Sequence, residues 1–268
     1  MLKKLLIAFS VLLIVFYLSL LVYLYGPWWF KKTQDYNCVN GSIESIALPD
    51  GYERVDNGTG FDNFLRDLPL AAEDVQVKRI TGELADSLLP YCYRVIDVPL
   101  LYHYEQCADV CIRLRAEYLF RTRQFWKIHF DDTQYNTMRY YWGGLRRGFI
   151  SYIIKVFNSA NTESMIHEMP RRPLSEMQPG DVFVYCAKDR EDKEYGHAIM
   201  VADMARNSVT GKKIFLVLQG STPACSIHIL KNRNDSVLSP WFELDEEAVV
   251  LDLGIAYYLD GELRYFKD

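Results

Sequence analysis

The chain has 268 residues, half of them hydrophobic, with 35 acidic against 30 basic side chains and a formal net charge of −5. That is enough apolar material for a sizeable core. The acidic balance excludes the basic face that a nucleic-acid binder presents, so no nucleic acid is expected as a partner.

From Leu5 to Tyr25 the sequence carries no charge, a run of the length that crosses a bilayer. Lys3 and Lys4 precede it; Trp28, Trp29, Lys31 and Lys32 follow it like an interfacial belt. No small-x-small cleavage site ends the run, so an uncleaved signal anchor is expected rather than a signal peptide. The expected division is a transmembrane anchor over residues 1–30, a tether over 31–45 and one α+β domain over 46–268. The lysines balance at the two ends and the N-terminal amine tips the orientation N-inside. The main domain is then extracytoplasmic, on the periplasmic side, where the six cysteines are free to form disulfides.

Further along, residues 61–70 read as a short helix, and 75–80 and 95–98 as strands. The stretch Gln106-Cys107-Ala108-Asp109-Val110-Cys111 opens a helix that runs to about Arg123. Cys107, Cys111, Leu114 and Tyr118 share one face at helical spacing, and Asp109, Arg113 and Glu117 succeed one another at intervals of four along another. Taken alone, both cysteines read as core. A thiol in a first helical turn is nonetheless placed where backbone N–H groups favour a thiolate. Residues 125–157 are rich in aromatics, which suits either packing or the wall of a cleft, and 149–157 reads as a helix. Residues 158–164 read as a polar connection and 170–173 as a rigid loop.

After Gln178-Pro179-Gly180-Asp181, a turn signal, strands are expected over 182–185, 196–202, 214–218 and 227–230. A charged tip spans 188–194 and a turn spans 207–213. Short connections imply an antiparallel meander. A nucleophilic cysteine needs a base and a group that orients the base. His197 opens one strand and Gln219 ends the next, so the catalytic candidates are Cys107, His197 and Gln219. His228, mid-strand, ranks lower, as do His129 and His167.

This order of residues resembles the papain-like hydrolases, above all the NlpC-type cell-wall peptidases, in which a Gly-Asp strand such as Gly180-Asp181-Val182-Phe183 precedes the histidine strand. A broader resemblance rests on Gln106-Cys107-Ala108-Asp109, the helix from Arg113 to Leu119, Gly196-His197-Ala198, Gln219 with Pro223-Ala224, and Ser239-Pro240-Trp241. Together these are similar to a bacterial cell-envelope family known only as a domain of unknown function. The implied fold class is α+β: a papain-like, NlpC-type helix packed on an antiparallel sheet, preceded by one transmembrane helix. The implied function is a membrane-anchored envelope cysteine hydrolase, with a cell-wall peptide or glycan as ligand. In it His197 would deprotonate Cys107 and the thiolate would attack a carbonyl. Departures are present: Gln-Cys-Ala-Asp stands where NlpC-type enzymes carry Asp-Cys-Ser-Gly, and Asp109 would oppose a nearby thiolate. No cofactor and no metal are expected. Two alternatives stay open: a non-catalytic binding module of papain-like fold, and a metal or redox site on His103, Cys107 and Cys111.

Overall fold

The computed structural model describes residues 2–25, 36–56 and 58–267; in the first of these stretches side chains are placed at residues 9–20. That stretch is one helix, α1 (Leu2–Tyr25). The expected transmembrane anchor is corrected here: among the described residues, no helix is long and apolar enough to cross a membrane. The membrane as a partner, the single-pass topology and the extracytoplasmic placement all depended on that span and are corrected with it. Trp28, Trp29, Lys31 and Lys32 lie outside the described residues, as do residues 31–35 of the expected tether. Within the rest of that tether Ile43 is already fully buried.

Beyond α1 the chain is α+β. Strand β1 (Tyr52–Arg54) and helix α2 (Phe61–Arg66) come first, then β2 (Cys92–Val95) and helix α3 (Cys107–Arg121). Strands β3 (His129–Asp131) and β4 (Thr137–Arg139) form a hairpin, followed by helices α4 (Arg146–Phe157) and α5 (Thr162–Glu168). Strands β5 (Val182–Tyr185), β6 (His197–Asn207), β7 (Lys213–Gln219) and β8 (His228–Leu230) are the centre of the sheet. The chain closes on the short strands β9 (Phe242–Glu243), β10 (Val250–Asp252), β11 (Tyr257–Leu259) and β12 (Leu263–Arg264). One eight-stranded sheet runs β12-β5-β6-β7-β8-β2, with β1 joined to β6 and β9 to β7.

Alternation along the central strands assigns their side chains to two faces. Ala198, Met200 and Ala202 of β6 and Ile214, Leu216 and Leu218 of β7 join the cluster that holds α3. Ile199 and Val201, with Phe215 and Val217, join a second cluster with Leu251, Leu253 and Tyr258 from the C-terminal segments. Both faces are covered, which is why these strands read as continuous apolar runs and not as apolar–polar alternation.

Helix α3 is the element that everything else surrounds. Every residue from Cys107 to Leu119 is buried. The charges spaced along its other face are therefore buried, and each needs a partner. Arg113 donates to Glu105 at 2.6 Å, and Glu117 accepts two bonds from Arg146 at 2.6 and 2.7 Å. Arg115 lies over the Phe61 and Tyr118 rings. The helix stops two residues before the expected Arg123, which adopts a left-handed φ of 60° that a helix cannot continue through.

Other boundaries moved for local reasons. Residues 75–80 are not a strand; only the isolated bridges of Lys78 with Leu84 and Arg79 with Cys225 form there. The strand expected at 95–98 sits earlier, as β2. The polar connection at 158–164 contains the start of α5, because Asn161 caps it and accepts the backbone N–H of Glu163 and Ser164 at 2.9 and 3.0 Å. The disulfides allowed by an oxidising compartment are not formed: all six cysteines are free.

Candidate thiol site

Helix α3 begins at Cys107. Gln106 ahead of it has an extended backbone, and Asp109 accepts the Gln106 backbone N–H at 2.9 Å, a capping contact that fixes the first turn. Two glycines let the strand ends pack closely, Gly220 against the start of α3 and Gly196 against α5 and β5. A Cβ on Gly220, just after β7, would lie 2.7 Å from Val110 Cγ2 and 3.3 Å from the Gln106 carbonyl oxygen. A Cβ on Gly196, just before β6, would lie 2.2 Å from Thr162 Oγ1 and 2.9 Å from the Tyr185 carbonyl oxygen. Only a residue without a side chain lets β7 close on α3 and β6 close on α5 and β5 at these points.

This closure brings the three expected residues together. His197 Nε2 and Gln219 Oε1 are 2.8 Å apart. The imidazole also hydrogen-bonds the Cys107 side chain. Burial pushes the Cys107 thiol up. The His197 charge and hydrogen bond, with the backbone N–H groups of Ala198 and Ala108, outweigh burial and hold the thiol below its usual value. For His197 burial favours the neutral ring, but the Cys107 charge and hydrogen bond and the Gln219 amide reverse that and raise it. The two shifts are one fact seen from both sides: each group favours the charged form of the other.

Cys111, one turn on, shows what burial does without such a partner. It is fully buried, and burial, reinforced by the Cys107 and Asp109 charges, raises it well above the ordinary thiol value. Asp109 does not oppose the thiolate as its position suggested. Burial, partly offset by the Gln106 N–H and reinforced by the Cys107 and Glu105 charges, pushes its carboxyl up to about 8, so it is protonated at neutral pH.

Cys107 is 4 % exposed and sits in the wall of a cleft of about 330 Å³. Gln106, Asp109, Asn161, Thr162 and Thr222 give that cleft polar groups, and the exposed Tyr104 and Tyr195 stand at it. Of the aromatic stretch 125–157, only Phe157 reaches the cleft. Phe130, Tyr140, Phe149 and Tyr152 are core, while Trp126, Tyr141 and Trp142 face solvent elsewhere. The charged tip at 188–194 is tied down: Arg190 is buried and pairs with Glu262, and Lys188 pairs with Glu163.

The metal alternative is corrected. His103 precedes α3, and its ring lies tilted against those of Tyr102 and Tyr104. Among the described residues no group of three or more His, Cys, Asp or Glu is placed to hold a metal ion.

Sequence reasoning ranked one residue too low. His228 stands opposite Gln219 in the β7–β8 register, and Gln219 Nε2 lies 3.1 Å from His228 Nε2. The signal was the strand register, which pairs the two positions directly once the Pro223 turn is placed.

The fold and site thus define an α+β domain that carries a paired thiol and imidazole at a helix start. A family model described as "Domain of unknown function (4846)" matches residues 43–146 and 143–258, and the chain belongs to that family. No curated protein and no solved structure matches the chain. The expected reading as a membrane-anchored envelope hydrolase is corrected: the span it needed is not found among the described residues.

Proposed function

We propose that this domain is a ligand-binding module whose cleft presents a reactive thiol. In it Cys107 is the nucleophilic group, His197 its proton partner and Gln219 the amide that orients the ring. The observation that carries the reading is the position of His197, which shares one ring between Gln219 at 2.8 Å and the Cys107 side chain. A papain-like order of parts supports it: a thiol opening a helix, an imidazole opening a strand, an amide ending the next. The cleft offers neutral polar and aromatic groups, which suit an uncharged polar ligand that brings a carbonyl or other electrophilic carbon to the sulfur.

The test is alkylation by iodoacetamide near neutral pH, resolved cysteine by cysteine by peptide mass spectrometry. Cys38 is the internal reference, because it is exposed and its thiol is raised by burial and by the Asp67 charge. Cys107 is expected to label faster for its exposure than Cys38, and the His197→Ala chain is expected to lose that advantage. Equal Cys107 labelling in the two chains rejects the paired thiol.

A further inference from the structure

His228 has no part in the roles assigned above, yet it is fully buried and touches the array that performs them. Its two ring nitrogens have different neighbours. Nδ1 lies 2.9 Å from the Ser226 carbonyl oxygen, which can only accept, so Nδ1 carries the proton. Nε2 lies 3.1 Å from Gln219 Nε2. Burial holds the ring neutral, with a pKa pushed down to about 4; the Ser226 bond opposes that and the His197 charge adds to it. A neutral ring protonated on Nδ1 has a bare lone pair on Nε2, and that lone pair accepts from the Gln219 amide nitrogen.

The consequence passes along the chain of bonds. With its nitrogen committed to His228, Gln219 turns its oxygen to His197. An amide oxygen only accepts, so His197 Nε2 donates. His197 Nδ1 is then the nitrogen left for the thiol. Were the Gln219 amide reversed, an oxygen would face the bare nitrogen of His228 and an N–H₂ group would face His197. The backbone carbonyl of Ser226 is the fixed end of the series, because it has no second tautomer to adopt.

We infer that His228 is a positioning residue: through Gln219 it selects the His197 tautomer that leaves Nδ1 facing Cys107. This rests on the reading of Cys107, His197 and Gln219 as a reactive thiol site. It adds a fourth member to that site, drawn from β8, the strand beyond Gln219.

The readout is the pH profile of Cys107 alkylation, taken on the full chain with folding checked by circular dichroism. Six titratable groups are electrostatically coupled to Cys107: His197 on β6, Asp109 and Cys111 on α3, Tyr185 on β5, Cys225 after β7, and Tyr258 on β11. The Asp109→Asn background removes a neighbouring group that titrates near pH 8. The His228→Phe chain keeps a ring and loses the acceptor. Its Cys107 inflection is expected to rise, with labelling at pH 7 falling about tenfold for each unit of rise. The His228→Gln chain supplies an amide oxygen and is expected to restore the wild-type profile. A folded His228→Phe chain with an unmoved inflection overturns the inference.

A second measurement covers a variant that does not fold. Imidazole nitrogen NMR on the unmodified chain reads the tautomers directly: His228 is expected protonated on Nδ1 only, and His228 protonated on Nε2 overturns the inference. The His197→Ala profile separates the two levels. If it moves and His228→Phe does not, His228 alone is wrong; if neither moves, the reactive thiol itself is wrong.

Discussion

The two ends of strand β6 solve opposite problems with the same backbone. At its far end Asp203 is fully buried and accepts from Arg54 and Arg66, each at 2.8 Å, and from the Met204 backbone N–H at 2.9 Å. A register shift between Val201 and Asp203 turns that carboxylate toward both arginines. Arg54 belongs to β1 and Arg66 to α2, so one carboxylate fastens two N-terminal elements to the sheet. At its near end His197 sits in a series of polar groups that ends at an ionisable thiol on a cleft. The far end surrounds a fixed charge with fixed counter-charges. The near end supplies a charge only by moving a proton from sulfur to nitrogen. The first arrangement holds structure; the second is useful only if something arrives at the cleft.

That contrast is sharpened by removing one group from each end. Asp203→Ala leaves two arginines facing an empty apolar site and is expected to cost about 3–5 kcal/mol of unfolding free energy. Urea denaturation measures it, and Cys107 alkylation in the folded fraction should stay within twofold of wild type. His197→Ala is expected to do the reverse: alkylation at neutral pH falls about a hundredfold, while stability moves by less than about 1 kcal/mol. If the two variants shift both readouts equally, the division of labour along β6 is wrong.

A pH effect comes next. The folded Asp109 carboxyl is raised to about 8 from an ordinary value of 3.8, so the folded state holds a proton that the unfolded chain has released. Its contribution is complete below the ordinary carboxylate value and is lost as pH rises through about 8. An Asp109→Asn chain keeps an oxygen for the Gln106 N–H and is expected to match wild type in acid and gain on it steadily toward pH 8. Thermal unfolding across that range checks it, and a parallel pair of curves rejects it.

Smaller effects test the packing around the site. Gly220→Ala must displace Val110 or the Gln106 backbone, an overpacking cost of about 1–3 kcal/mol. It should also lower Cys107 alkylation, because the same displacement shifts the helix start. Cys111→Ala should cost about 1 kcal/mol, the scale of a small cavity, and leave Cys107 alkylation unchanged. Any large change there would mean that the second thiol shares the chemistry of the first.

Cys107 and Cys111 also show how far the sequence could be read. Their spacing placed both on one helix, and both are buried as core cysteines usually are. Nothing in the local sequence separates a thiol held low from a thiol pushed far up. The separation comes from His197, ninety positions along the chain. His228 was ranked low for a related reason: what matters is the identity of its partner across the strand pair, and register decides that. The apolar run at the start failed in another way. Hydropathy measured it as a span, and among the described residues no helix is long and apolar enough to cross a membrane.

Periodicity, turn residues and residue type determined by themselves the helix at Cys107, the four central strands and their antiparallel order. Those signals are local, and local spacing sets secondary structure. Only the tertiary structure decided which thiol meets an imidazole, which carboxyl stays protonated and which way the Gln219 amide faces. Those outcomes depend on burial and on partners far apart in sequence, and the field at a buried atom is set by its neighbours in space.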